Sequence, residues 1–241
     1  MVAGINPVLA LLREAGRPVE SVIIAKGAES SKLGEIARLA RERGLKVRYV
    51  ERVALDRTTD GAVHQGVAAR AGVRLQPEWS DFLAQSEATE KGLVVLLDGV
   101  EDPHNLGAVI RSAEAFGALG VVTARERSAP LSEAALKASA GSAERLDVVR
   151  VVNLVRAMEE LKEAGYQVLG LASDGDVPLH DADLKGKVAL VVGGEAEGLR
   201  RLVRQRCDRL LSIPLAPAVE SLNLAVAAGV ALHEIRRRGQ G

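Results

Sequence analysis

Cysteine is almost absent: Cys207 is the single one in 241 residues. That excludes an internal disulfide and any cysteine-rich metal site. Aromatic residues are scarce. Only Tyr49, Trp79, Phe82, Phe116 and Tyr166 occur, so stacking of bases on an aromatic platform is not expected as the main binding mode. No apolar run reaches the ~18 residues of a membrane span, and no basic region followed by a long apolar stretch marks a secretory signal. His64, His104, His180, His233 and Cys207 lack ligand spacing, so no metal is expected. His64 reads as a structural residue. No G-x-x-x-x-G-K-[ST], no G-x-G-x-x-G and no G-x-S-x-G occurs, which removes ordinary nucleoside triphosphate sites, dinucleotide sites and the hydrolase elbow. Net charge is missing too, with 32 Lys and Arg against 32 Asp and Glu.

What is present is a chain 47% hydrophobic and 27% charged, ample for a packed core and long enough for one large domain or two small ones. A cytoplasmic protein is expected. The zero charge hides a gradient. Residues 1–75 carry a net of +5, residues 76–92 a net of −3, and residues 93–241 a net of −2. A basic first third suits a polyanion, and it also suits a solvated face of mixed charge.

Hydrophobic periodicity divides the chain further. Within 1–75 it predicts a helix from Asn6-Pro7 to Gly16 with Asn6 as its N-cap, strands at 21–25, 46–50 and 66–73, and a helix over 31–43. Residues 76–92 break the rhythm with a proline and a polar cluster, and read as a linker holding at most a short helix. From residue 93 buried strands are predicted at 93–98, 120–123, 166–172, 188–194 and 209–214. Helices are predicted over 106–116, 132–140, 154–164, 199–205 and 221–238. Apolar strands separated by helices imply an α/β domain, a mostly parallel sheet with helices on both faces. Ligands of such folds bind at the carboxyl ends of the strands.

Three segments at such ends carry the chemistry. In D-G-V-E-D-P-H-N-L-G-A-V-I-R-S-A (98–113) a strand runs into a turn that opens a helix, with Asn105 placed to cap it. Arg111 lies six residues on, about 240° around the axis, so the two do not share a stripe. In V-A-L-V-V-G-G-E-A-E-G-L (188–199) a strand ends in two glycines, where a flat ligand can lie against the backbone. Glu195 and Glu197 there also suit the dipole of a following helix. In 211–234 Pro214 and Pro217 force a loop, Glu220-Ser221 is expected to cap the last helix, and Asn223 in its first turn is a lone amide in an apolar stretch.

The three segments, in this order and at these separations, resemble the motifs of the SpoU/TrmH family of RNA ribose 2′-O-methyltransferases, within the knotted SPOUT superfamily. The likeness covers 93–241. G-I-N-P-V (4–8) and H-Q-G (64–66) make residues 1–75 similar to the small α/β substrate-binding domain of the bacterial 23S rRNA guanosine-2′-O-methyltransferase branch. The resemblance implies a C-terminal trefoil knot, an S-adenosylmethionine site within it, an RNA substrate and a homodimer. It implies catalytic roles for Arg111, Asn105, Glu195, Asn223 and Ser221. Gly193 and Gly194 would form the cofactor loop, Ile213, Leu215 and Leu222 would hold the cofactor, and Leu171 and Ala172 would border it. Ala196, Pro217 and Ala225 depart from the family pattern. A tRNA substrate, or a non-catalytic RNA-binding or ribosome-assembly role, stays open on these residues.

Overall fold

The computed structural model describes residues 1–13, 19–28, 30–71 and 76–239. Two compact units form, Met1–Leu75 and Gln76–Gly241. The first holds β1 (Val2–Ala3), α1 (Ile5–Arg13), β2 (Val19–Ala25), α2 (Ser31–Glu42), β3 (Lys46–Val50), α3 (Arg52–Thr58) and β4 (Val67–Ala71). The strands lie in the order β1-β4-β2-β3. β4 runs antiparallel to both neighbours, and β2 pairs in parallel with β3.

Helix α1 begins one residue before the expected cap. Gly4 turns with φ +102°, and the first free N–H, that of Ile5, donates to Gln65 Oε1 at 3.1 Å. Asn6 therefore sits inside the first turn, where its side chain accepts from Lys32 Nζ instead. The expected end at Gly16 lies outside the described residues. The 4–8 and 64–66 stretches thus meet in space. His64, buried, accepts the Gly66 N–H on Nδ1 and faces Asp56 Oδ1 with Nε2 at 2.7 Å. An imidazole whose Nδ1 accepts carries its proton on Nε2, so His64 ties the turn to α3.

The second unit holds α4 (Trp79–Glu87), β5 (Leu93–Asp98), α5 (Pro103–Ala115), β6 (Gly120–Ala124), α6 (Glu133–Ala138), β7 (Asp147–Val151), α7 (Leu154–Glu163), β8 (Gln167–Leu171), β9 (Val177–Pro178), β10 (Val188–Gly193), α8 (Arg201–Arg206), β11 (Arg209–Ser212) and α9 (Leu224–Gly239). Its sheet has the order β7-β6-β5-β10-β8-β11-β9, and every pairing is parallel. Alternation along β5 explains the layers. Leu93, Val95 and Leu97 join Val109 and Ile110 of α5 and Leu232 of α9 in one core. Val94 and Leu96 face the other way, onto Met158 and Leu161 of α7.

The segment expected as a linker is part of this second unit. Phe82 of α4 is buried in the core with Val94 and Val122, and Gly120 makes room for its ring. Gln76 Oε1 accepts the Val148 N–H of edge strand β7 at 2.7 Å. One apolar helical face and one amide cover an otherwise open flank. No helix among the described residues is long and apolar enough to cross a membrane.

Candidate active site

The carboxyl ends of β5, β8, β10 and β11 converge, because all four strands run the same way. A cavity of about 530 Å³ opens beside them. Leu171, Ala172, Gly193, Gly194, Ile213, Leu215 and Leu222 line it, as do Glu195, Ser221 and Asn223.

The two glycines are forced by close packing. A Cβ on Gly193 would stand 2.1 Å from the Gly198 carbonyl carbon, and one on Gly194 would stand 2.2 Å from Gly99 O. Beyond them the chain turns tightly, with Gly198 at φ +63° and its N–H donating back to Gly194 O. Beneath this turn lies Asp98, fully buried at the end of β5. Its carboxylate accepts the Arg200 backbone N–H at 2.8 Å and Arg200 Nε at 2.6 Å. The buried charge is thereby paired and hydrogen-bonded, as burial requires.

Three distant stretches are joined by one chain of hydrogen bonds. Asn223 Oδ1 accepts from the N–H groups of Ala225 and Val226, capping α9. That fixes its amide orientation, leaving Nδ2 to donate to Asn105 Oδ1 at 3.2 Å. Asn105 Nδ2 then donates to Glu195 Oε1 at 2.7 Å. The polarity follows from chemistry alone, since a backbone N–H only donates and a carboxylate only accepts.

Two expected caps are corrected by this network. Asp102, not Asn105, caps α5, accepting from the His104 N–H at 2.9 Å. Asn105 falls in the first turn and is freed for Glu195. Asn223, not Ser221, caps α9, which starts at Leu224. Glu195 stands in the turn well before α8, so its partner is an amide rather than a helix dipole. Ser221 lines the cavity outside the network. Arg111 lies on the exposed side of α5, away from the cavity lining. It has no hydrogen-bond or ion-pair partner among the described residues. Its ~240° offset from Asn105 is realised as two different faces.

Sequence reasoning missed two pairs. Asp98–Arg200 was signalled only by a lone acid ending an apolar strand. Asp174 and Arg204, both on the cavity wall, form a two-pronged pair at 2.8 and 2.9 Å, and this bonding holds the Asp174 carboxyl below its usual range. Cys207 is no nucleophile, because burial pushes its thiol up to about 12 and a protonated thiol is unreactive.

Parallel strands, a glycine-walled cavity at their ends and convergent amides define an α/β protein with a small-molecule site of nucleotide dimensions. Residues 92–233 match the SpoU rRNA Methylase family, and residues 1–72 match the family described as RNA 2′-O ribose methyltransferase substrate binding. The chain belongs to the SpoU rRNA methylase family. It is 44% identical over 238 residues to the 23S rRNA (guanosine-2′-O-)-methyltransferase RlmB of Xylella fastidiosa, spanning 98% of this chain and 96% of that one. The AdoMet-bound rRNA methyltransferase from Sinorhizobium meliloti superposes with TM-score 0.75 at 29% identity, over 97% of this chain and 84% of that one. The SpoU methyltransferase AviRb from Streptomyces viridochromogenes, in complex with AdoMet, gives TM-score 0.70 at 28% identity, over 98% and 88%.

The cavity volume and the bare backbone that Gly193 and Gly194 present on its wall fit S-adenosylmethionine, whose adenine can lie against such a surface. Gly194→Ala should weaken binding of S-adenosylmethionine by about tenfold or more, because the added methyl displaces the turn. Isothermal titration calorimetry checks this, and wild-type affinity in the variant would count against the cradle.

Proposed function

We infer that this chain is an S-adenosylmethionine-dependent RNA ribose 2′-O-methyltransferase acting on a guanosine of 23S rRNA. The observation that carries the reading is the Asn223–Asn105–Glu195 chain at the rim of the cavity. When bound, S-adenosylmethionine supplies a methyl group already activated on a sulfonium. The chain's own task is alignment, which contributes ~7–11 kcal/mol at best. Glu195 and Asn223 face the cavity and are held in register by Asn105. Ser221 contributes a hydroxyl on the same wall.

Arg111 binds the phosphate of the target nucleotide and lies beside the 2′-oxygen. A guanidinium with a pKa above ~12 is a poor base at neutral pH, so its first role is electrostatic. A homodimer brings it to a site. Val226 and Val230 of α9 are 53% and 41% exposed, on a helix packed against α5. A second copy covers that face and receives Arg111. Arg111→Lys should cut turnover by about 10²-fold while S-adenosylmethionine affinity survives, since Lys loses the planar two-pronged grip on phosphate. Near-normal methylation by the variant would remove the role.

The C-terminal half forms a trefoil knot. Supporting this, α9 ends against the 179–184 segment, with Arg238 Nη1 donating to His180 O and Gly239 pressed on Leu184 O. Residues 1–75 are the RNA-binding domain, with a net charge of +5. RNA affinity should therefore fall steeply with added salt in a filter-binding titration, as counterion release demands. The protein works in the cytoplasm, on RNA. The decisive experiment gives it labelled S-adenosylmethionine and unmodified 23S rRNA and maps the methylated ribose. One 2′-O-methylguanosine is expected, and transfer to tRNA alone, or none, overturns the reading.

A further inference from the structure

A second cavity, of about 340 Å³, opens at the same carboxyl end of the sheet, beside β6 and β7. It lies across the first turn of α5 from the cofactor cavity. Leu106 forms part of its wall, while Asn105, the preceding residue, reaches Glu195. The floor is apolar, from Leu106, Leu131 and Val148.

Three buried polar atoms on its lining side chains lack partners among the described residues. Thr123 is 2% exposed, lines the cavity, and its hydroxyl makes no hydrogen bond among the described residues. Gln76 spends Oε1 on the Val148 N–H, which leaves Nε2 as a buried donor with nothing to bond. Arg150 donates from Nη2 to Arg125 O, yet its buried Nε–H is also unpaired. A buried donor without a partner is costly, and three around one void ask for an acceptor-bearing guest. Arg125, at the rim, is turned to Glu78. An apolar slot with donors at its wall suits a flat heterocycle carrying ring carbonyls.

We propose that this cavity takes a flipped-out base of the RNA, close to the methylated nucleotide, and holds it by a carbonyl edge such as guanine or uracil presents. The proposal rests on the RNA-methylating reading above. Splaying single-stranded bases into pockets is the ordinary way RNA sequence is read. The cavity would thus help select the target.

Two variants test it. Gln76→Glu keeps the acceptor for Val148 N–H and replaces the orphan donor with an acceptor. Thr123→Val keeps the shape and deletes the hydroxyl. Each should raise the KM for unmodified 23S rRNA by about tenfold, with kcat at saturating RNA and S-adenosylmethionine affinity unchanged. Thr123→Val should melt no lower than wild type, since removing an unsatisfied buried hydroxyl costs folding nothing. A merely structural role predicts the reverse: a lower melting temperature with an unchanged KM. In the wild type, one base near the target, exchanged for carbonyl-free adenine, should reproduce the KM of Gln76→Glu.

RNA affinity is measured in parallel by gel shift. If the wild type binds RNA without methylating it, the functional reading fails, and the cavity is still judged by whether the variants bind less. Unchanged KM and affinity in both variants, or a wild type that binds no RNA, overturns the proposal.

Discussion

Asn105→Ala should leave S-adenosylmethionine bound and methyl transfer reduced by about 10²-fold or more. Asn105 is not on the cavity wall, so the cofactor loses no contact. What disappears is the only link among the described residues between the α9 cap and the Glu195 turn. Without it Glu195, which is exposed and has no other hydrogen-bond partner among the described residues, is free to rotate, and the Asn223 amide, still held by its cap bonds, loses the acceptor for Nδ2. Misplacement of reacting groups by about 1 Å is enough for a loss of that size. Single-turnover kinetics with labelled S-adenosylmethionine separate the two quantities. A variant that binds cofactor weakly yet turns over normally once saturated would assign Asn105 to binding instead.

Asp98→Asn should be the most damaging single-atom change in the second unit. Asp98 is wholly buried and holds both the backbone and the side chain of Arg200. The substituted amide turns an NH2 toward donors and leaves the guanidinium without a counter-charge. Asp98 is the buried member while the Arg200 guanidinium is 36% exposed, so the cost is that of a lost charge-assisted bond and an unsatisfied buried group, about 1–3 kcal/mol. In a domain of this size that lowers the melting temperature by roughly 2–12 °C. Because the pair pins the turn that follows Gly193 and Gly194, cofactor affinity should fall with it. Calorimetric melting of wild type and variant decides the point, and coincident transitions would refute it.

Legibility in the sequence followed the local signal. β5 and β10 are apolar at nearly every position and bounded by turns, so their burial was plain. The two-residue strands β1 and β9 offer no period, and α3 is seven residues with one buried side chain. β7, an edge strand of five residues with Arg150 in fourth place, is not among the strands the periodicity predicts. The 76–92 stretch is polar enough to pass for a linker. Only the packing of Phe82 and the Gln76–Val148 bond reveals it as a covering layer. At the site, Asn105, Glu195 and Asn223 were marked by their motifs, but Asp98, Arg200, Asp174 and Arg204 were not, since neither partner of an ion pair announces the other across 30 or 102 residues.

The chain alone determined that the second unit would be a parallel sheet covered on both faces. Strand and helix periods are local, and they register as soon as about ten residues are read in order. It also determined which glycines and amides end the strands. Which of those amides would cap a helix and which would bond across the site was decided only by the tertiary structure. An asparagine side chain near a helix start satisfies whichever donor or acceptor lies within about 3 Å, and for Asn105 the deciding neighbours lie 90 and 118 residues away.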